Sequence, residues 1–219
     1  MIKNFITKLH TSTKRNYLKR MLDNKVHCMK IAKNYEKKYW DGNRRYGYGG
    51  YKYIALRWHN VAKKIISQYK LKAGSKILDV GCGKGFLLWE MLQIEPNLKI
   101  YGFDISRHAI QNSFKHKNLK LFIHKAQKKF PFKKNYFDLV ISIGVLHNLD
   151  LAKVSFSLNE IQRVSKNSYI MVESYRNDKE LFNLQCWALT CKTFLHVKDW
   201  KWLFKQNKFK GDFEFIYFN

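Results

Sequence analysis

Apolar positions in this chain keep two rhythms, one before residue 76 and one after it. In the first stretch Leu18, Leu22, Met29, Ala32 and Tyr35 are spaced for one face of a helix. Ile54, Trp58, Val61, Ala62, Ile65 and Ile66 repeat that spacing more regularly. Between them, residues 39–53 break both patterns and concentrate aromatics, glycines and two arginines. The second rhythm begins at Lys76-Ile77-Leu78-Asp79-Val80, an apolar run that ends in Gly81, Gly83 and Gly85 and passes straight into the apolar residues 86–92. This order predicts a buried strand, a tight glycine turn and a helix start. Further strands are predicted at residues 99–103, 119–123 and 212–218, with a helix around 199–204. The pattern divides the chain into a helical extension, residues 1–75, with a distinct segment at 39–53, and a second region at 76–219.

The glycine turn carries the first chemical signal. A backbone without side chains lets N–H groups approach a ligand closely. Nineteen residues after Gly85, the strand at 99–103 delivers Asp104, where an acid can grip a ribose diol. The pair points to a nucleoside-type cofactor. A dinucleotide G-x-G-x-x-G does not fit, because position 86 is Phe, and without a Gly-Lys-Ser/Thr ending a phosphate-binding P-loop is excluded.

The run Leu78-Asp79-Val80-Gly81-Cys82-Gly83-Lys84-Gly85 resembles motif I of the class I S-adenosylmethionine-dependent methyltransferases. Residues 126–132, Ala-Gln-Lys-Lys-Phe-Pro-Phe, resemble that family's Ala-x-x-Leu-Pro-Phe segment. Residues 137–143 resemble its fourth strand, 144–149 the loop beyond, and 169–173 its fifth strand, so the similarity covers residues 76 to about 175. The aromatic segment and the tail resemble a bacterial, UbiE-like subgroup. The resemblance implies a Rossmann-like α/β fold with a mostly parallel central sheet and helices on both faces. It also implies S-adenosyl-L-methionine as cofactor, held by Asp79, Gly81, Cys82, Gly83, Asp104, Ile105, Ala126, Gln127 and Ile143. The family usually has an acid or amide before that Ala, to accept from the adenine amino group, but Lys125 cannot accept a hydrogen bond. Gln127 or a backbone carbonyl then takes that role, or adenine is held by stacking. The family's sheet normally finishes with two strands, one antiparallel, and only one is visible here.

Composition narrows the partners. With 219 residues, 46% apolar and 16% aromatic, the chain is expected to be globular. No apolar run approaches the roughly 18 residues of a membrane span, and the opening residues lack a signal-peptide core. The four cysteines show no metal-ligand spacing, which suits free thiols in the cytoplasm. Net charge is +26, and residues 1–75 hold 19 of the 42 basic residues against three acids. That excess suits nucleic acid or a small anion. Lys outnumbers Arg 34 to 8, whereas forked recognition of phosphates and bases favours Arg.

Methyl transfer needs alignment, exclusion of water and, for a hydroxyl, removal of a proton. His147, beyond the fourth strand, and Glu173, ending the fifth, are the candidate catalytic bases. Segment 39–53 reads as a lid, since glycines permit movement and aromatics exclude water or face a sulfonium. Arg44, Arg45, Tyr46, Tyr48, Tyr175 and Arg176 are the expected acceptor contacts. No carboxylate cluster suggests a metal. The leading reading is O- or N-methylation of a small, anionic or sugar-like acceptor. The alternative is an RNA methyltransferase using the basic N-terminal region.

Overall fold

The computed structural model describes residues 1–219. Helices α1 (Thr7–Thr11), α2 (Tyr17–Leu22), α3 (Lys25–Ala32), α4 (Lys37–Trp40) and α5 (His59–Gln68) come first. Then follow β1 (Lys76–Val80), α6 (Phe86–Ile94), β2 (Lys99–Asp104), α7 (Arg107–Gln111), β3 (Leu119–Ile123) and β4 (Phe137–Ile143). The chain continues through α8 (Leu151–Val164), β5 (Ser165–Glu173), α9 (Asp178–Trp187), α10 (Val197–Gln206) and β6 (Asp212–Ile216). The sheet runs β3-β2-β1-β4-β5-β6, every pairing parallel. It is the Rossmann-like architecture that the resemblance implies. No helix is long and apolar enough to cross a membrane.

Because side chains alternate across a strand, each face of the sheet receives its own apolar layer. Ile77, Ile100, Leu139 and Ile141 pack with Val61, Ala62 and Ile65 of α5 and with Leu88 and Met91 of α6. On the other face Leu78, Val80, Val140, Ile170 and Val172 meet Val154, Leu158 and Ile161 of α8 and Trp200 of α10. Phe5 and Ile6 join the first layer, so the N-terminal extension shares the core of the sheet.

One sequence expectation changes. The single helix face from Leu18 to Tyr35 is broken between α2 and α3, where Asn24 takes a left-handed conformation at φ 41°. Leu18 and Leu22 accordingly stay exposed. No antiparallel strand enters the sheet beside β5; β6 pairs there directly. The outer edge of β6 is covered by the N-terminus: Lys3 N–H donates to Phe213 O at 2.9 Å, and Phe213 N–H to Met1 O at 3.0 Å.

Candidate active site

Strand order reverses between β1 and β4, and their carboxyl ends open a crevice where such sheets bind ligands. A cavity of about 500 Å³ lies there, walled by Asp79, Gly81, Cys82, Gly83, Ile143, Gly144, His147, Met171 and Glu173, among others. A hollow of about 530 Å³ at the opposite ends of the strands, near Tyr69, Lys166 and Asp212, has no glycine turn and no connection to these residues.

Gly81, Gly83 and Gly85 all have positive φ. A Cβ on Gly81 would stand 2.3 Å from Val145 Cγ2, so no side chain fits there. The turn is tied to β2: the N–H groups of Gly81 and Cys82 both donate to Phe103 O, at 2.8 and 3.0 Å. At the mouth of β1, Asp79 is 5% exposed and its Oδ1 has no hydrogen-bond partner. Burial, reinforced by the nearby Asp104 charge, pushes its pKa up to about 8. A buried acid with an orphaned oxygen on a cavity wall suits a cationic ligand. The ammonium of a methionyl group supplies that charge and the missing donors, so these residues fit S-adenosylmethionine at its methionyl end.

The segment from residue 39 to 53 covers this crevice. Trp40 is buried, with its ring against Gly83: a Cβ there would lie 2.9 Å from Trp40 Cη2. The indole N–H reaches Ser106 Oγ at 2.9 Å and Tyr35 O at 2.8 Å. Tyr48 stacks on Trp40 with centroids 5.1 Å apart and planes 3° apart, and Tyr51 stacks on Phe86 at 4.9 Å. A polar latch lies alongside. Lys84 Nζ donates to both oxygens of Asp41, at 2.7 and 2.8 Å, and to Tyr51 O at 2.8 Å. His108 Nε2 meets Asp41 Oδ2 at 2.7 Å. Burial works upward on Asp41, but the hydrogen bonds from His108 and Lys84 carry its pKa below the ordinary value. At the far end of the segment, buried Glu90 of α6 accepts from Tyr53 OH at 2.6 Å and Leu56 N–H at 3.0 Å. Lys84 has no role in the sequence reading, because inside a glycine turn it looks like a solvated residue.

Trp40 changes the picture at the ribose end. Asp104 sits at the tip of β2 as expected, but it is 7% exposed and does not reach the cavity wall. Its Oδ2 accepts from Gly83 N–H and its Oδ1 from Ser106 N–H, both at 2.8 Å, and burial raises its pKa. For a ribose diol to reach this carboxylate, the indole would have to move off Gly83. Trp40→Ala is therefore expected to speed S-adenosylmethionine association severalfold in stopped-flow fluorescence; an unchanged rate would show that the indole is not in the way.

Other expected residues separate clearly. Ile143 and Cys82 line the cavity, whereas Ile105, exposed by 42%, Ala126 and Gln127 do not. The Ala126 carbonyl instead accepts from Ser157 Oγ at 2.9 Å. Arg44 and Tyr48 face the cavity. Arg45 does not, since its Nη2 is paired with Asp23 at 2.6 Å. Tyr46 packs on His27 and beside Cys28 and Leu189. Tyr175 packs edge-on against His196, and Arg176 is drawn to Glu180 while covering the Tyr217 ring at 4.1 Å. In their place the fold brings in Arg15, Arg20, Arg57 and Trp187, which come from distant parts of the chain.

His147 and Glu173 meet at the carboxyl ends of β4 and β5. His147 Nδ1 accepts from the Glu173 N–H at 3.2 Å, which leaves the proton of the neutral ring on Nε2, 3.3 Å from Glu173 Oε2. Burial lowers the His147 pKa against the opposing pull of Glu173. Both residues line the cavity; both ring nitrogens are engaged, whereas no hydrogen bond within the chain holds Glu173 Oε1.

A methyltransferase domain profile matches residues 71–213, and the chain belongs to that family, the class I S-adenosylmethionine-dependent methyltransferases. The demethylmenaquinone methyltransferase of Symbiobacterium thermophilum is 28% identical over 155 residues, 67% of this chain and 61% of that protein. The mitochondrial arginine-hydroxylase of Mus musculus is 34% identical over 110 residues, 50% of this chain. The chain spans about a third (31%) of that relative's length. Among solved structures, a methyltransferase complex with the Haloferax volcanii Trm112 activator superposes with a TM-score of 0.56 at 21% identity, covering 68% of this chain and 67% of its own. YcgJ of Bacillus subtilis gives 0.54 at 18%, covering 67% and 66%. These structural likenesses establish the fold alone.

Proposed function

We propose that this protein transfers a methyl group from S-adenosylmethionine to an oxygen or nitrogen of a small, anionic or sugar-like acceptor. The reading is carried by one observation: a single covered cavity joins the orphaned Asp79 carboxylate at the glycine turn to the Glu173 carboxylate across it. The cofactor supplies a methyl group on a cationic sulfur, already activated toward displacement. Asp79 holds the ammonium, and the glycine turn lets the backbone pack against the ligand. Trp40, Tyr48 and Tyr51 exclude water once the lid is seated. Glu173 takes the proton that the acceptor loses as its new bond to carbon forms. His147 is a positioning residue, because its Nε2–H is directed at Glu173 and its Nδ1 is held by the backbone.

Glu173→Gln is expected to lower turnover by about 10²–10⁴-fold with cofactor affinity retained, the range of a lost general base. His147→Ala is expected to cost less and to shift the acid limb of the pH–rate profile. If both variants turn over normally at saturating substrate, proton removal plays no part and alignment alone remains. The acceptor class is tested by incubating the chain with labelled cofactor and a cell extract. Label is expected in a small metabolite; label in RNA would favour the alternative built on the basic N-terminal region.

A further inference from the structure

Four of the eight arginines in this lysine-rich chain, Arg15, Arg20, Arg44 and Arg57, line the cavity, whereas Lys52 is the only one of 34 lysines to do so. Charge set by composition alone would be distributed the other way. Arg15, Arg20 and Arg44 converge on one ring, with guanidinium carbons 5.4, 5.0 and 5.2 Å from the centroid of Trp187. None of the three has a carboxylate at ion-pair distance; the paired arginines of the chain are Arg45, Arg163 and Arg176. Their N–H groups rest on neutral carbonyls instead. Arg15 donates to His10 O and Thr13 O at 3.2 and 3.0 Å, Arg20 to Arg44 O at 2.7 Å, and Arg44 to Gly47 O. Nε of Arg15 and Nε of Arg20 are buried without a partner.

Three cations gathered at one ring repel each other, and burial lowers the pKa of each guanidinium, with Arg44 adding to the effect on Arg15 and Arg20. Neighbouring His10 does not neutralise them. Its Nδ1 accepts from Arg15 Nη2 at 3.2 Å, its Nε2 donates to Tyr217 O at 2.9 Å, and burial followed by Arg15 holds its pKa at about 4. The carboxylates felt without contact are Glu173, on the same cavity wall and acting on Arg15, and Asp23, acting on Arg20 and itself paired with Arg45. An arrangement of this kind is stable once an anion enters it, because planar guanidinium forks match the oxygens of phosphate and carboxylate.

We infer that Arg15, Arg20 and Arg44, fanned over Trp187, form a cradle for an oxyanion, the phosphate or carboxylate of the acceptor whose other end reaches Glu173. The word acceptor rests on the methyltransferase reading; the anion site itself does not. Three cations match a phosphate dianion better than a single carboxylate.

The test titrates the full chain calorimetrically with inorganic phosphate and, separately, with acetate at constant ionic strength. Saturable binding is expected, tighter for phosphate if the acceptor is a phosphate ester and tighter for acetate if it is an acid. Arg20→Gln and Arg44→Gln are each expected to weaken the tighter anion by about tenfold or more, the loss of one charged hydrogen bond. Near-ultraviolet circular dichroism and S-adenosylmethionine affinity report on folding of the variants. Arg20→Lys, which keeps the charge without the fork, is expected to restore only part of the loss. No saturable binding of either anion, or binding indifferent to all three substitutions, overturns the cradle. Tight binding of single-stranded RNA that phosphate cannot displace also overturns it. A chain that binds phosphate but no cofactor retains the cradle and loses the methyltransferase reading.

Discussion

S-adenosylmethionine binding is expected to strengthen by nearly tenfold from about pH 6 to 7 and by less from there to about pH 8, with release of close to one proton below about pH 7, and Asp79→Asn to abolish that slope. The cause is the buried carboxylate at the end of β1. Its pKa in the free protein, about 8 against an ordinary 3.8, leaves it protonated at neutrality. Pairing with an ammonium requires the ionised form, so binding must expel the proton, and below about pH 8 that expulsion weakens the observed affinity. Above about pH 8 the ligand's own amino group deprotonates, and the gain ends. The sign for folding is opposite. A folded-state pKa raised above the unfolded value means that the native chain binds the proton more tightly. Asp79 therefore stabilises at acid pH, and its contribution is lost as pH rises from about 4 to about 8. Calorimetry in two buffers of different ionisation enthalpy counts the released proton. Asp79→Asn should bind roughly 30-fold or more weakly at pH 8, as expected for one partner of a buried charge pair. An unchanged slope in that variant would assign the proton to another group.

Glu214→Ala is expected to lower the melting temperature by roughly 6–20 °C, from a loss of about 3–5 kcal/mol at 2–4 °C per kcal/mol. Glu214 of β6 is buried, and its carboxylate gathers the start of the chain. It accepts from the N–H of Phe5 at 2.6 Å, of Ile6 at 3.0 Å and of Thr7 at 2.7 Å, and from Thr7 Oγ1 at 2.7 Å. Tyr169 OH adds a bond at 2.6 Å, and burial together with this carboxylate pushes the phenol's pKa far up. Truncation leaves those donors without an acceptor beneath Phe5 and Ile6, which belong to the core. The effect extends to the site, because Ile6, Leu9, His10 and Arg15 form part of the cavity wall. Phosphate binding should therefore fall together with thermal stability. A shift under about 2 °C in scanning calorimetry would show that the segment is held by its apolar contacts alone.

How much of this was legible in the sequence depends on the range of the interaction that decides each feature. The glycine turn could be read because positive φ at Gly81, Gly83 and Gly85 is a local requirement that only glycine meets without strain. Strands at 119–123 and 137–143 match β3 and β4 to the residue, since apolar runs of that length have few other uses in an α/β chain. Helix boundaries before residue 76 were less visible, because the Asp23-Asn24 break interrupts a spacing that otherwise looks continuous. The candidate lid could be seen as a composition but not as a location. Nothing near Trp40 in sequence states that it rests on Gly83 or that Asp41 is held by Lys84 and His108.

The site divides in the same way. Asp79, the glycines and Glu173 could be placed at the crevice from the sequence, because they stand at strand ends or in the turn that follows one. Arg45, Tyr46, Tyr175 and Arg176 were expected at the acceptor and instead found nearer partners, Asp23, His27, His196 and Glu180. Arg15, Arg20 and Trp187 gave no local signal, since an arginine facing a cavity and one facing solvent look alike along a chain. By itself the sequence determined the parallel sheet and its glycine turn, through short-range backbone preference and alternating burial. Only the tertiary structure decided what covers that turn and which charges line the cavity, because those contacts join residues far apart in the chain.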